Sequence, residues 1–319
     1  MPKSLNEAIH ITLSFDENYI NQFYVLATSI FANNSHNIVI HAITSGISEI
    51  ERKAISDYIV SYNSIINFYS VPADFGKNFR LDGNWTVATY YRLLFPKILP
   101  IYINKFIYID SDTLVVGDLS ELWSTDLKSS VIAAVEDRLV TTRPDLGIYR
   151  PNSYFNAGIL VINRHLWVEQ NITAKAVAFL NDFPEKIFYA DQDALNYLFK
   201  DNWVRLSNRF NLMYADIPEA LPSSQFTAYL EDKVIIHFTQ HRPWKMLCEN
   251  RFRYLYHHHL RMSPLGKRAS KYTDYTLSVN AITKLLRIRL RELYFDNPQV
   301  ATIWRGLKSL LLAKASSGH

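Results

Sequence analysis

The residues with the clearest chemical potential in this 319-residue chain are two carboxylates spaced two apart, Asp110 and Asp112. Standing just past an apolar segment, such a pair can converge on one hard divalent cation, which in turn neutralises phosphate oxygens. Read alone, the pair also fits solvated acidic caps in a loop, so the chemistry depends on the company it keeps. Other polar residues occupy comparable places: Asp16 and Asn18 after a run containing Ser14, Arg92 in a Tyr-rich stretch, Asp191-Gln192-Asp193 opening a periodic segment, and His237 after Val234, Ile235 and Ile236. Taken singly these have plain structural readings. Asp16 serves as a loop's hydrogen-bonding residue, Arg92 as a helix-surface cation, Asp191 as a helix N-cap and His237 as a satisfied strand-end histidine.

The elements that must position these residues follow from hydrophobic period. Residues 9–15, 39–44 and 65–71 read as strands. Helical spacing of Phe23, Leu26, Ala27, Ile30 and Phe31 follows the first; a helix over 48–61, opened by Ser48 with Glu51 three residues on, follows the second. A helix around 89–95 precedes a strand over 105–109 that stops at Asp110-Ser111-Asp112. Strand and helix alternating in this way predict an α/β fold with a mostly parallel sheet and helices on both faces. Ligands in such sheets bind outside the carboxyl ends of the strands, where Asp110 and Asp112 stand. Neither a G-x-G-x-x-G turn nor a Walker loop occurs among only nine glycines, which weighs against dehydrogenase and P-loop chemistry.

Composition narrows the class further. With 48% hydrophobic residues the chain can bury a large core. A single cysteine, Cys248, excludes an intrachain disulfide, and the opening residues lack the pattern of a signal peptide. The longest apolar runs fall short of the roughly 18 residues of a spanning helix. A reducing, cytoplasmic setting is the expectation. Charge is unevenly distributed: residues 251–319 carry 13 Lys and Arg against 3 Asp and Glu, whereas residues 1–250 carry 21 against 27. A basic block of this kind usually meets an anionic surface, and a domain boundary is expected near residue 250.

The company of the carboxylates is specific. Phe106 to Val116 (FIYIDSDTLVV), Tyr90 to Leu93 (YYRL), Tyr154 to Asn163 (YFNAGILVIN), Ala190 to Asn196 (ADQDALN) and His237 to Trp244 (HFTQHRPW) resemble glycosyltransferase family 8 in order and spacing over roughly residues 9–250. They are most similar to bacterial lipo-oligosaccharide and lipopolysaccharide α-galactosyl- and α-glucosyltransferases. The resemblance implies the GT-A fold, a Rossmann-like mixed sheet, and retaining transfer from a UDP-hexose with Mn2+, or Mg2+, as cofactor; galactose and glucose both fit as the sugar. It further implies that Asp110, Asp112 and His237 hold the metal, and an imidazole beside two carboxylates suits manganese. Ser14, Asp16 and Asn18 would meet the uridine; Arg92, Asp110, Ser111, Asn156, Asp191, Gln192 and Arg242 would bind the donor. Arg92, Asp191, Gln192 and Asp193 are the catalytic candidates. Because an amide such as Gln192 is a poor nucleophile, same-face attack through an oxocarbenium-like state is the expected route. The family pattern His-x-x-Gly-x-x-Lys-Pro-Trp is one residue shorter here, with Gln240 for glycine and Arg242 for lysine, and Arg holds phosphate bidentately.

The tail completes the expectations. Val300, Ile303, Trp304, Leu307, Leu310 and Leu311 fall at helical spacing beside Arg305 and Lys308, a basic amphipathic pattern. Residues 251–319 are expected to form a small α-helical extension. Resemblance to the bacterial enzymes implies docking on the inner face of the plasma membrane, near a lipid-linked glycan acceptor; the competing reading packs the tail on the domain or on a second subunit. Two rivals remain: Asp110-Ser-Asp-Thr113 also fits the start of haloacid-dehalogenase-type phosphatases, with Asp110 as nucleophile, and the basic tail alone fits a non-enzymatic nucleic-acid-binding protein. The acidic body argues against a nucleic-acid partner.

Overall fold

The computed structural model describes residues 8–72, 74–81, 86–200, 202–297, 299–300 and 302. Strand β1 (Ile9–Asp16) leads through a single 3-10 turn into helix α1 (Ile20–Asn33). Strand β2 (Ile38–Ser45), helix α2 (Glu49–Val60) and strand β3 (Ile65–Tyr69) follow. Ser48 caps α2 as expected, accepting the Glu51 backbone N–H at 3.2 Å. The expected helix around 89–95 is instead a 3-10 helix over Val87–Leu94 that passes into one α turn, α3 (Phe95–Ile98). Pro96 accounts for the difference: it has no N–H for the Arg92 carbonyl, and its ring would collide with that carbonyl in a regular α-helix.

Next come β4 (Lys105–Ile109), β5 (Thr113–Val115), α4 (Ser120–Trp123), β6 (Ile132–Glu136) and β7 (Phe155–Asn163). Helices α5 (Arg164–Glu169), α6 (Ile172–Asp182) and α7 (Asp191–Phe199) precede β8 (Val204–Leu206), β9 (Leu212–Met213), α8 (Phe226–Leu230), β10 (Ile235–His237), α9 (Arg253–Met262) and α10 (Val279–Asp296). The main sheet has the order β3-β2-β1-β4-β7-β6-β8, and β7 alone runs antiparallel to its neighbours. This is the mostly parallel α/β sheet the alternation predicted.

Period-two alternation builds the three layers. Phe106 and Tyr108 of β4 join one buried cluster, with Ala194 and Leu195 of α7; Ile107 and Ile109 join the other, with Phe23 and Leu26 of α1. Helices cover both faces, so the central strands are buried on both sides, as β1 shows with all eight residues buried, the polar His10, Thr12, Ser14 and Asp16 among them. A second, three-stranded sheet, β5-β10-β9, shares a third cluster with α9. Phe252, Tyr256 and Leu260 are buried there beside Val25 of α1, so residues 251–262 belong to the body's core, and the expected division at 250 falls inside it. Beyond α9 the chain is more exposed. The expected helix centred on Trp304 lies outside the described residues.

Candidate functional site

Strands β1 and β4 are parallel neighbours, so their carboxyl ends lie side by side and bring Asp16 near Asp110. The chain then turns sharply, with Thr113 Oγ1 donating to the Asp110 carbonyl at 2.7 Å, and returns as β5. Antiparallel pairing of β5 with β10 sets His237 opposite Thr113, next to Asp112. The result is a cluster of ligand atoms from Asp110, Asp112 and His237 all within 4.8 Å of one another. His237 Nε2 stands 3.1 Å from Asp112 Oδ1 and 3.9 Å from Asp110 Oδ2.

Supporting groups make this a fitted site for a divalent cation. Nδ1 of His237 meets Asn211 Oδ1 at 2.9 Å, an acceptor that keeps a proton on Nδ1; Nε2, 3.1 Å from Asp112 Oδ1, donates to that carboxylate and would have to give up its proton to ligate a cation. Gly158 lies against the cluster, where an added Cβ would fall 2.2 Å from His237 Cε1 and 2.9 Å from Asp110 Oδ2. Burial raises the Asp110 carboxyl, with Arg92 opposing and Asp112 reinforcing. For Asp112 burial is outweighed by His237 and the pKa falls; for His237 burial is outweighed by Asp112 and the pKa rises. These groups share protons that a bound cation displaces, and two carboxylates with one imidazole suit manganese or magnesium.

Arg92 joins this cluster to the next. Its guanidinium pairs with Asp110 Oδ1 at 3.0 Å and Asp191 Oδ2 at 2.7 Å, and lies 4.5 Å from the centre of the Tyr108 ring. The plain helix-surface reading of Arg92 is thereby overturned: it is buried. Asp191 is likewise no N-cap, since Ala190 holds that position. Burial pushes the Asp191 carboxyl up to about 7 against the pull of Arg92.

These residues line one cavity of about 610 Å³. Of the positions singled out in the sequence, Ser14, Asp16, Arg92, Asp110, Ser111, Asp112, Asn156, Asp191, Gln192, His237 and Arg242 line it. Asp16 also keeps its structural role, accepting the Asn18 backbone N–H at 2.9 Å. Asn18 itself is exposed and off the wall; its neighbour Tyr19 takes that place. Asp193 is a second departure: it lies behind the wall, completely buried, with its oxygens already hydrogen-bonded.

Several lining or supporting residues had escaped the sequence reading. Asp137 Oδ2 accepts from Asn156 Nδ2 and Gln192 Nε2, both at 3.2 Å, while Gln192 Oε1 accepts the Ala157 N–H at 3.0 Å. The Gln192 amide is therefore orientated at both ends. Lys245 lines the cavity with Arg242, and neither side chain makes a hydrogen bond or ion pair among the described residues. With Arg92 committed to two carboxylates, Arg242 and Lys245 are the lining cations left, among the described residues, to meet an anion. Three side chains that could hold a cation, anchored carboxylates and uncommitted cations in one cleft have the chemistry to meet a charged group beside a polar one.

Comparison with known proteins agrees with this geometry. The sequence model of Glycosyl transferase family 8 matches residues 10–248. General stress protein A of Bacillus subtilis (strain 168) is 30% identical over 268 residues, covering 80% of this chain and 94% of that protein. A lipopolysaccharide 1,2-glucosyltransferase of Escherichia coli is 28% identical over 251 residues, covering 75% and 74%. Among solved structures, galactosyltransferase LgtC in complex with donor and acceptor sugar analogues superposes with a TM-score of 0.70 at 25% identity, covering 87% of this chain and all of that one. This match sets aside the phosphatase reading of Asp110 and the reading of the chain as a non-enzymatic protein. The chain belongs to glycosyl transferase family 8 and is a sugar-transferring enzyme built on the GT-A fold.

Proposed function

We propose that the protein transfers a hexose, galactose or glucose, from a UDP-sugar to a hydroxyl of a cell-surface glycan, with retention at the anomeric carbon and with Mn2+ or Mg2+ held by Asp110, Asp112 and His237. The observation that carries this reading is the shared cavity: the three ligand side chains, Asp16 at the end of β1, and Arg242 and Lys245 line one cleft. A bound cation there supplies charge neutralisation for the diphosphate. Ser14 and Asp16 offer polar contacts for the nucleoside end. Asn156, Asp191 and Gln192 stand where the sugar would lie, Asp191 held by Arg92.

The chain's own residues favour same-face attack. Gln192 is orientated by Ala157 and Asp137 to accept or donate hydrogen bonds, not to form a covalent bond to the sugar. As the bond from anomeric carbon to phosphate oxygen breaks, the acceptor oxygen bonds to the same face, and the acceptor's proton passes to the departing phosphate oxygen. Arg242 and Lys245 stabilise the charge that builds on that leaving group. A lipid-linked acceptor at the inner face of the plasma membrane suits α10, whose outward face carries Val279, Ile282, Leu286, Leu290 and Leu293 beside Arg287 and Arg289.

The test is turnover of a panel of UDP-sugars with Mn2+ or EDTA, in the native chain and in Asp112→Ala. Consumption of one UDP-hexose that needs both metal and Asp112 supports the reading. Turnover indifferent to both, or none with any nucleotide-sugar, sinks it.

A further inference from the structure

Asp193 looks outward in the sequence, beside Asp191 and Gln192, yet the structure turns it inward to meet Arg143, a residue from the irregular excursion between β6 and β7. We propose that Arg143 is a positioning residue for sugar transfer: clasped to Asp193, it holds the 186–192 turn in the one conformation that presents Asp191 and Gln192 to the cavity. The inference rests on the transferase reading above.

Every acceptor position of the Asp193 carboxylate that the turn needs is occupied. Tyr154 Oη donates to Oδ1 at 2.6 Å, and Arg143 Nη1 pairs with the same oxygen. The backbone N–H groups of Phe188 and Tyr189 donate to Oδ2 at 2.6 and 2.7 Å. A carboxylate so committed has no free lone pair aimed at a substrate, and it does not line the cavity, so it acts through the turn.

Arg143 spans both sides of that turn. Its Nε and Nη2 reach Asp145 at 2.9 and 2.7 Å, Nη2 also donates to the Lys186 carbonyl at 2.8 Å, and its guanidinium lies 4.9 Å from the Phe188 ring centre. One planar cation thus ties the excursion loop to residues 186, 188 and 193 at once, which a flexible ammonium would do less well.

The turn needs such a clasp because it is strained. Ala190 has φ 52° and ψ −132°, a conformation that costs a residue with a Cβ and persists only where its surroundings impose it. The residues on either side of it line the cavity: Tyr189 before, Asp191 and Gln192 after. Relaxing Ala190 would swing Asp191 from Arg92 and Gln192 from Asp137 and the Ala157 N–H. The nucleotide and metal groups, which come from β1, β4 and β10, would stay where they are.

That separation makes the test. In Arg143→Met, kcat for transfer should fall at least tenfold while UDP affinity in the presence of Mn2+, read by calorimetry, stays within about twofold; Arg143→Lys should recover part of the loss. If kcat is unchanged in a folded Arg143→Met, or if UDP affinity falls in step with kcat, the positioning role is overturned. Should Arg143→Met fail to fold, Tyr154→Phe decides instead, since it removes one donor to Asp193: lowered kcat with intact UDP affinity supports the clasp, and unchanged kcat overturns it. Failure of the wild-type protein to bind UDP or turn over any UDP-hexose is a separate result, and it removes the transferase reading together with the inference built on it.

Discussion

At the scale of single residues, the proposed metal site depends on one atom that is missing. Gly158 lies where any side chain would strike the His237 ring and the Asp110 carboxylate, and the nearer contact, 2.2 Å, is one no real Cβ tolerates. Gly158→Ala must therefore displace a ligand. The protein should remain folded, because β7 keeps its pairing, but Mn2+ affinity should drop roughly 10- to 100-fold or more, the range for lost support around a metal ligand. A Mn2+ titration by calorimetry checks this, and an unchanged affinity would show that His237 is not a ligand. Lys245 gives a second residue-level expectation. As a cation in the cleft that pairs with no carboxylate among the described residues, it should serve the diphosphate, and Lys245→Met should weaken UDP about tenfold, or ~1.4 kcal/mol, with little effect on uridine. Equal losses for UDP and uridine would place Lys245 elsewhere in the ligand.

At the scale of elements, the edge of the sheet is tied by a polar chain with a sign-definite pH response. His10 Nδ1 on β1 meets His41 Nε2 on β2 at 3.0 Å, and His41 Nδ1 meets the Tyr69 hydroxyl on β3 at 2.8 Å. Burial, then the neighbouring His10, pushes His41 down to about 3, and burial lowers His10 as well. Unfolded, both imidazoles take a proton near the ordinary 6.5, so the unfolded chain binds more protons than the folded one below that value. Stability is therefore complete above pH 6.5 and lost progressively as pH falls towards 3, at up to about 1.4 kcal/mol per unit for His41. Urea midpoints between pH 7 and 4.5 should fall more steeply for the native chain than for His41→Gln; parallel curves would show that carboxylates alone set the acid limit.

The same elements show what a sequence displays and what it hides. Ser48 and the apolar period around it announce α2 because capping and amphipathicity are local. Asp110 and Asp112 are legible because both follow directly from one strand end. Asn211 was missed because its function exists only through His237 and Asn156, 26 and 55 positions away. Asp137 and Arg143 escaped for the same reason: they stand in an irregular excursion with no period, and their partners on α7, Gln192 and Asp193, lie 55 and 50 positions away. Asp193 misled because neighbours in a motif need not share a face; α7 begins at Asp191, and residues two apart on a helix point in different directions.

At the scale of the whole molecule, the charge asymmetry acquires a shape. Helix α10 is pinned to the body through ion pairs: Arg251 to Asp296, Arg253 to Glu292 at 2.6 Å, and Arg291 to Glu249 at 2.9 Å, with Ala281 buried beneath. Those contacts use one side of the helix. The other side presents Val279, Ile282, Leu286, Leu290 and Leu293 at spacings of three and four, Val279 being 81% and Leu290 63% exposed. An apolar stripe bordered by Arg287 and Arg289 is what lies flat in an anionic bilayer surface, with leucines in the acyl boundary and guanidinium groups among the headgroups. Docked so, α10 would hold the body at the surface where a lipid-linked acceptor resides. Leu286→Asp with Leu290→Asp leaves every ion pair in place but spoils the stripe. Sedimentation with phosphatidylglycerol-containing vesicles should then lose most of the bound protein, while hydrolysis of a soluble UDP-hexose stays at the native rate. Binding to vesicles that survives these substitutions, or that is equal for neutral vesicles, would move the contact to another face of the molecule.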